Sequence, residues 1–543
     1  MPTLERKWWT LIAVCTAIFM LLLDITVVNV ALPDIQRALH SSFSDLQWVV
    51  DAYSLTLAAF LLTAGVVGDM YGRRIVFAVG LAVFSLASLT CGLSTDSLML
   101  NLSRAVQGVG GAIMFATSLA LIAQAFQGKD RGTAFGIFGA VTGGAVAVGP
   151  LVGGAITSAI GWRWIFFVNV PIGAVAIIIT LAKIAESRDP STRRIDWIGF
   201  VSFSLGLFIL VFALVRGNDD GWSSTTIVSL FVASAVLMVI FFVNEVKTKD
   251  PMLRLDLFRK PAVVGVSMVA FAMSASIFAM FLYLTLYIQD DLGYGPLQAG
   301  LRFLPLTLLA FLVAPFAGRA TVRIKSRYLL GIGMLLITGG LLLMTTISVD
   351  SAWTVLLPGF IIGGFGIGMV NPVLASASIS VVEPRQSGMA SGTNNTFRQV
   401  GIATGIAVLG AVFQSQIVSH TSAALRETSI GRIVLHQGGP GLAAAMTAGE
   451  VRQTLPHVPA AARSTLLQAY KVGFASSMDH LMVIGAIVAF IGMVGAFALV
   501  HQRDFVVLGG GAPVGAPEGA PPGAPPGAPI SAPSAAPSGG GHA

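Results

Sequence analysis

Apolar stretches long enough to cross a lipid bilayer recur along almost the whole chain. The first covers about 23 residues, or roughly 34 Å as an α-helix, and the apolar layer of a bilayer is about 30 Å thick. Short segments that hold most of the charged residues separate one run from the next. The pattern predicts an all-α integral membrane protein with fourteen transmembrane helices. The runs lie at residues 10–32, 47–68, 75–93, 101–126, 133–158, 163–183, 197–216, 224–243, 262–287, 298–318, 328–348, 353–378, 389–413 and 479–500.

Composition agrees with this pattern and excludes several classes of protein. Only 10% of the 543 residues are charged and 55% are hydrophobic, whereas soluble domains carry about 25% charged residues. The net charge of +7 comes from short clusters between the runs, which does not indicate nucleic acid. Cys15 and Cys91 lie inside runs at different depths, so no disulfide, metal site or cofactor is expected.

The distribution of basic residues sets the expected orientation. With the N-terminus placed in the cytoplasm, the inward segments hold 21 Lys and Arg residues, and the short outward loops hold three. Positive charge collects on the cytoplasmic side of membrane proteins. Both termini are therefore expected in the cytoplasm, and the protein in the cytoplasmic membrane. Arg6 and Lys7 before an apolar run resemble a signal peptide, but this run is too long, and it is expected to be retained.

A weak internal repeat indicates two halves. Similar Gly-containing stretches open the fifth and the thirteenth run, eight runs apart, which fits two six-helix halves with two inserted helices. The long outward loop is expected to form short helices at 441–453 and 460–472, outside the bilayer, and the Pro/Ala/Gly tail is expected to be disordered. The expected segments are 1–183 and 262–500 for the halves, 197–243 for the inserted helices, 414–478 for the loop and 501–543 for the tail.

One carboxylate interrupts the first run. Asp24 lies about 21 Å along it, past the bilayer midplane. An ionised carboxylate there costs at least a few kcal/mol, so it should face a water-filled cavity or a partner. We expect Asp24 to carry a proton; a structural Asp satisfied by neighbouring backbone is the alternative. Asp51, near the outer start of the second run, is a weaker candidate, for which solvation at the membrane interface is the favoured interpretation.

A charged, Gly-rich segment, residues 65–74, connects the second and third runs. Glycine permits a tight reversal, and an Asp here can cap the next helix and pair with an arginine. Such a cluster can latch two helix ends in one conformation and release them in another. Positive-inside charge around a simple turn is the alternative. The residues of this predicted gating loop are Gly65, Asp69, Gly72, Arg73 and Arg74.

Three of these segments resemble the major facilitator superfamily. Residues 65–74 resemble its signature between helices 2 and 3, and residues 102–111 its helix-4 motif. Residues 149–154 resemble its helix-5 motif associated with antiporters, although Ala145 stands where the family usually has glycine. By this resemblance, the antiporter residues of helix 5 are Gly149, Pro150, Gly153 and Gly154.

Two further stretches, 24–33 and 162–171, resemble the fourteen-helix drug:proton antiporter branch of that superfamily. The resemblance extends over residues 8–500, apart from the 414–478 loop. It implies proton-coupled efflux of lipophilic, cationic drugs by alternating access between two helical halves. The implied partners are protons, small lipophilic substrates and the bilayer; an adaptor that bridges the cell envelope is left open.

Arg104, in the fourth run, is a cation that cannot readily deprotonate. It lies in the same half as Asp24, and its plausible partners are that carboxylate, helix carbonyls or the counter-charge of an incoming proton. Snorkelling to a helix end is the alternative. Asp24 and Arg104 are the predicted proton-coupling residues. Other polar residues that either face the cavity or bond between helices are Asn29, Gln107, Asn371, Asn394, Asn395 and Arg398.

Other functions have less support. No phosphate-binding Gly-x-x-x-x-Gly-Lys-Ser/Thr loop and no Gly-x-Ser-x-Gly elbow is found in the sequence, so no enzyme is predicted. The rivals are an exporter of an endogenous metabolite or lipid, an importer, and a non-transporting membrane sensor on the same scaffold. Because Asp24 is the one deeply placed acid, monovalent lipophilic cations and neutral drugs are expected to be preferred over rigid divalent cations.

Overall fold

The apolar runs are helical in the computed structural model. It describes residues 5–505, apart from 127, 189–195, 249–250, 252, 322, 350, 383–386 and 448–457. Thirteen helices are long and apolar enough to cross a membrane, and one bent helix pair raises the number to 14. No strand occurs in this part of the chain. The predicted fold class, an all-α membrane protein with fourteen spans, is confirmed, while most of the predicted tail lies outside the described residues.

We name the spans α1 to α14 in chain order. α2 is bent by 51° between Leu61 and Thr63, and α9 contains two π-helical segments, Ser274–Phe278 and Tyr287–Asp291. The bounds are α1 Arg6–Leu39, α2 Phe43–Tyr71, α3 Arg73–Gly92, α4 Ser97–Ala125, α5 Gly128–Ile160, α6 Trp164–Lys183, α7 Trp197–Asp220, α8 Thr225–Lys247, α9 Pro261–Asp291, α10 Pro296–Ala320, α11 Ser326–Leu343, α12 Leu357–Ser380, α13 Ser387–Arg426 and α14 Ala460–Leu499.

Local sequence explains where several of these helices begin. At α2, Ser42 accepts a hydrogen bond from the backbone N–H of Asp45, whose carboxylate accepts one from the N–H of Ser42 in return. This reciprocal capping satisfies backbone donors that the first helical turn leaves unpaired. Asp96 caps α4 in the same way through the N–H of Met99. α9 and α10 start with proline, which is preorganised for the first helical position.

The segment predicted as an outward loop is largely helical. α13 continues without a break to Arg426, a further helix covers Ser429–Thr447, and α14 is one helix from Ala460. The prediction of a separate short helix at 460–472 is therefore wrong. No proline interrupts either long helix, and Ala-rich sequence favours continued helix. At 40 residues, α14 is about 60 Å long, roughly twice the apolar thickness of a bilayer.

Helix contacts group the spans. α1 packs against α4, α5 and α6, and α2 and α3 pack against α4, while α11 and α12 pack against each other and α13 packs along α14. The strongest contacts between the first six and the last six spans pair α5 with α10 and α2 with α13. α7 and α8 pack on each other beside α2 and α13. The division into two six-helix halves with two added helices stays a prediction.

Hydrogen bonds join these two groups at one end of the seam between them. We call the end where α1 begins and α2 ends the basic end, and the other the opposite end. Towards the opposite end, Gln289 Nε2 donates to the carbonyl oxygen of Val30 at 2.6 Å, and Gln47 Nε2 donates to that of Ile406 at 3.1 Å. The two groups are therefore in close contact at the opposite end.

Candidate functional site

Asp24 and Arg104 form a buried ion pair between α1 and α4. Asp24 is 3% exposed and Arg104 is 1% exposed, and Arg104 Nη1 lies 2.5 Å from Asp24 Oδ2. Arg104 Nε also donates to the carbonyl oxygen of Val49 at 3.0 Å. The guanidinium carbon lies 4.2 Å from the centroid of the Tyr53 ring. Because the whole side chain is buried, the alternative in which Arg104 snorkels to a helix end is wrong.

Neutral hydrogen-bond donors complete the surroundings of the carboxylate. Gln107 Nε2 and Asn169 Nδ2 donate to Asp24 Oδ1 at 2.9 and 3.2 Å. The Ser88 hydroxyl accepts from Asn169 at 3.0 Å and donates to the carbonyl oxygen of Phe166 at 2.9 Å. Five helices, α1, α2, α3, α4 and α6, thus contribute to one polar network in an apolar interior.

The contacts around Asp24 stabilise its negative charge, and this charge attracts Arg104. Burying two charges is costly unless their geometry is good and their remaining hydrogen-bonding capacity is used. Both carboxylate oxygens of Asp24 accept hydrogen bonds, so the ionised form is well stabilised. A proton on this carboxyl would remove the attraction for Arg104.

Sequence reasoning did not find all members of this network. Asn169 lies in the 162–171 stretch that carries the family resemblance, so a signal for it was available. Ser88 and Tyr53 had none, because a single hydroxyl in an apolar run is common and usually bonds its own helix. Gln107, expected either to face the cavity or to bond between helices, bonds to Asp24 of α1 in this network.

Asp51 does not lie where the sequence suggested. Its exposed fraction is 0%, and neither carboxylate oxygen has a hydrogen-bond partner among the described residues. It follows Gln47 by one turn on α2, the turn that meets Ile406 of α13 and Tyr283 of α9. Solvation at the membrane interface is therefore the wrong interpretation, because α9 and α13 cover this part of α2.

The predicted gating loop is held by an ion pair at the basic end. Arg73 Nη2 lies 2.8 Å from Asp69 Oδ1, one helical turn apart across the α2–α3 connection. Gly72 has a φ of 114°, a conformation that favours glycine. A β-carbon at Gly65 would meet no atom within 4 Å. The expected turn and the Asp–Arg pair are both present.

The expected cap of α3 comes from a different residue. Asp69 makes no capping bond there. Instead, Glu186, just after α6, accepts from the backbone N–H groups of Arg74 and Ile75 at 3.0 and 3.3 Å. The N–H of Arg73 donates to the carbonyl oxygen of Ser187 at 2.9 Å. A negative charge at a helix start is favourable, so this segment ties the end of α6 to the start of α3.

We expect Glu186→Ala and Arg73→Ala to slow transport five- to tenfold while leaving substrate affinity within twofold. Each removes a contact that holds the basic end in this arrangement, and both lie far from the Asp24 network. Turnover in proteoliposomes and ligand binding to the purified variants measure the two effects separately. Arg216→Ala, which removes an exposed pair with Asp220, is the matched control. A loss of affinity at unchanged turnover would contradict the latch role.

The helix-5 residues serve close packing at the opposite end. Gly149 and Gly153 face α1, while Gly154 and the carbonyl of Pro150 face α10. A β-carbon at Gly153 would lie 2.9 Å from the backbone of Val27, closer than such atoms approach in practice. These four residues let α5 sit tightly between α1 and α10, where the seam between the halves is closed.

The other predicted cavity residues stay apart from the Asp24 network. Asn29 donates to the carbonyl oxygen of Ile25 in its own helix at 3.3 Å. Asn371 Oδ1 and Asn394 Nδ2 are buried without a hydrogen-bond partner in the described part of the chain. The structure places the remaining predicted residues in α12 and α13, namely Asn371, Asn394, Asn395 and Arg398.

The family model of the major facilitator superfamily matches residues 14–406, well over half of the chain. The class that fold and sequence define is a multi-pass membrane transporter. The chain belongs to the major facilitator superfamily, as its motifs predicted.

Individual relatives carry names of resistance and export proteins. The multidrug resistance protein Stp of Mycobacterium tuberculosis is 35% identical over 408 residues, which cover 74% of this chain and 75% of Stp. The tetracenomycin C resistance and export protein of Streptomyces glaucescens is 31% identical over 490 residues and 90% of both chains. A bacterial homolog of the human lysosomal transporter Spinster, solved in an inward-facing and unoccupied conformation, aligns with a TM-score of 0.61 at 17% identity, over 93% of this chain and 100% of that one. This last likeness supports the fold alone.

Proposed function

We propose that this protein exports lipophilic drugs, cations among them, in exchange for protons by alternating access between its two helical halves. The buried Asp24–Arg104 pair carries the proposal, because a carboxylate held by one arginine is a group whose protonation changes helix contacts. The names of the relatives support export as the direction. The same names favour drugs over an endogenous metabolite or lipid.

The orientation follows from charge. We propose that the basic end faces the cytoplasm, because positive segments are retained on that side, and that both termini lie there in the cytoplasmic membrane. The close contacts described above then lie on the outer side, and we propose that the seam opens towards the cytoplasm in this arrangement. Drugs enter the seam between the halves from the cytoplasm or the inner leaflet.

The two buried carboxylates differ in protonation in this scheme. Asp24 is ionised, since it is paired with Arg104 and holds two further donors. Asp51 has no hydrogen-bond partner among the described residues and is fully buried, and a buried unpaired carboxylate is far more costly than the neutral acid. We infer that Asp51 still carries its proton and that its release allows the outer seam to open.

We propose that the charge of the substrate is recognised by the carboxylate of Asp24. A lipophilic cation competes with Arg104 for Asp24, and attraction grows as the dielectric constant falls. Because Asp51 is inferred to be neutral in this arrangement, Asp24 is the one ionised carboxylate of the two, and it matches one positive charge. The prediction therefore stands that monovalent cations and neutral drugs are exported better than rigid dications.

Proteoliposome flux with and without a pH gradient tests this function. We expect a fluorescent monovalent lipophilic cation to be accumulated at least tenfold more with the gradient than after a protonophore is added. Empty liposomes and protein with a reversed gradient are the controls. No flux of any compound would favour a sensor, the opposite gradient dependence would favour an importer, and flux restricted to endogenous metabolites or lipids would favour the metabolite exporter.

A further inference from the structure

Arg398 is a cation in the interior of α13 without a counter-charge. It lies 11 residues after Ser387, where α13 begins, roughly 16 Å along the helix axis. Within the described part of the chain its guanidinium makes one recorded contact, to the ring of Phe278, whose centroid lies 5.7 Å away. The structure records neither an ion pair nor a hydrogen bond for it there.

Two other arginines within the spans have polar partners in the chain. Arg104 is paired with Asp24. Arg302 donates to the carbonyl oxygen of Gln298 at 2.9 Å and lies 3.4 Å from the Tyr294 ring centroid. An arginine within a membrane span that keeps its donors free is costly unless water or a ligand supplies an acceptor. Arg398 therefore needs water or a ligand group as its acceptor.

Helix geometry shows where this side chain points. Gly401 and Gly405 of α13 pack on α9, where β-carbons would lie 2.6 Å from Phe271 and 2.7 Å from Ala275. The carbonyl of Ile406 meets α2 and α9. At about 100° per residue, Arg398 lies between these two faces, towards the seam between the halves. The residue is partly exposed, in the half of α13 that is nearer the basic end.

One neighbouring donor suits an anion. Asn394, one turn towards the basic end on the same face, has its Nδ2 buried without a partner among the described residues. Asp290 and Asp479 lie towards the opposite end, while Asp256 and Asp504 lie at the basic end, beyond the ends of α9 and α14. A guanidinium presents a fork of donors that fits a carboxylate or another oxyanion, and such bonds are strong in a low dielectric.

We propose that Arg398 is an anion subsite in the transport cavity, which binds the carboxylate, phenolate or enolate of a lipophilic substrate. Phe278, at the end of the π-helical segment Ser274–Phe278, packs against the apolar body of the same molecule. π-helical segments often occur at functional sites. The inference rests on the proposed export function and extends its substrates from cations to lipophilic weak acids and zwitterions.

The test is a binding measurement with three matched probes on purified full-length protein. The probes are a fluorescent lipophilic carboxylate, its methyl ester, and a lipophilic cation of similar size. We expect the wild type to bind the carboxylate at least tenfold more tightly than the ester. Arg398→Gln should remove this difference and leave the ester and the cation within twofold, while Arg398→Lys should retain part of it.

Arg302→Gln is the matched control, since it removes an arginine from α10 whose contacts are to neighbouring rings and a carbonyl. It should leave all three affinities unchanged. Equal affinity of the wild type for carboxylate and ester would overturn the subsite without any variant. An Arg398→Gln protein whose affinity falls equally for all three probes would also overturn the subsite. A retained carboxylate preference together with no proton-driven flux would leave the subsite standing and reject the export function.

Discussion

Asp24→Asn should abolish proton-driven export, reducing flux to the level of empty liposomes, while the protein still folds. Asparagine keeps the size of the side chain and can still accept from Gln107 or Asn169, but it cannot carry a proton. Arg104 then loses its counter-charge, and removal of one partner of a buried ion pair costs about 3–5 kcal/mol. We therefore expect a lower melting temperature together with the loss of transport.

The double variant Asp24→Asn/Arg104→Gln separates these two effects. Without either charge the interior no longer holds an unpaired cation, so the melting temperature should return towards that of the wild type while transport stays absent. Asp220→Asn, at the exposed end of α7, is the control for loss of an acid. Proton-linked flux of the Asn variant at the wild-type rate would remove Asp24 from the mechanism.

Asp51→Asn should reduce transport at least tenfold by holding the protein closed at the opposite end. Asparagine resembles the protonated carboxyl that we infer in this arrangement, and it cannot ionise to drive α2 away from α13. The readout is the labelling rate of Ala299→Cys, a position on α10 that is 0% exposed here. In the protein with Asp51, labelling should rise with pH, because an ionised Asp51 cannot stay in an unpaired buried position.

The two native cysteines are both buried, so the added thiol dominates the labelling with a membrane-impermeant maleimide. In the Asp51→Asn background, labelling should be slow and independent of pH. Asp220→Asn combined with Ala299→Cys should show the same rise of labelling rate with pH as Ala299→Cys alone. Fast labelling of the Asp51→Asn protein at all pH values would reverse the assigned role.

Much of the fold follows from length and polarity alone. A helix must hold about 20 apolar residues to span a bilayer, so the runs could be located without any tertiary information. The ends were harder to place. The α13 and α14 helices continue past their apolar runs because nothing in the sequence stops them, and helix content outside the membrane is not encoded by hydropathy.

For the candidate site, the sequence by itself determined which groups are costly in an apolar interior. Asp24 and Arg104 stood out because a charge in a membrane span is expensive in any fold. The sequence offered Asp24 as a plausible partner of Arg104, but it could not show that Ser88 and Asn169, 64 and 145 residues away from Asp24 in the chain, lie beside that carboxylate. Only helix packing brings them together.

The same distinction applies to Asp51, Glu186 and Arg398. The sequence shows a carboxylate near a helix start, an acid in a loop and an arginine in a span. Helix packing determines which face of α2 is covered by α13. It also brings Glu186 to the start of α3, although the two are 112 residues apart in the chain. Residue type determines how much free energy it costs to bury a group. Only the tertiary structure determines whether a partner, a bound proton or a ligand offsets that cost.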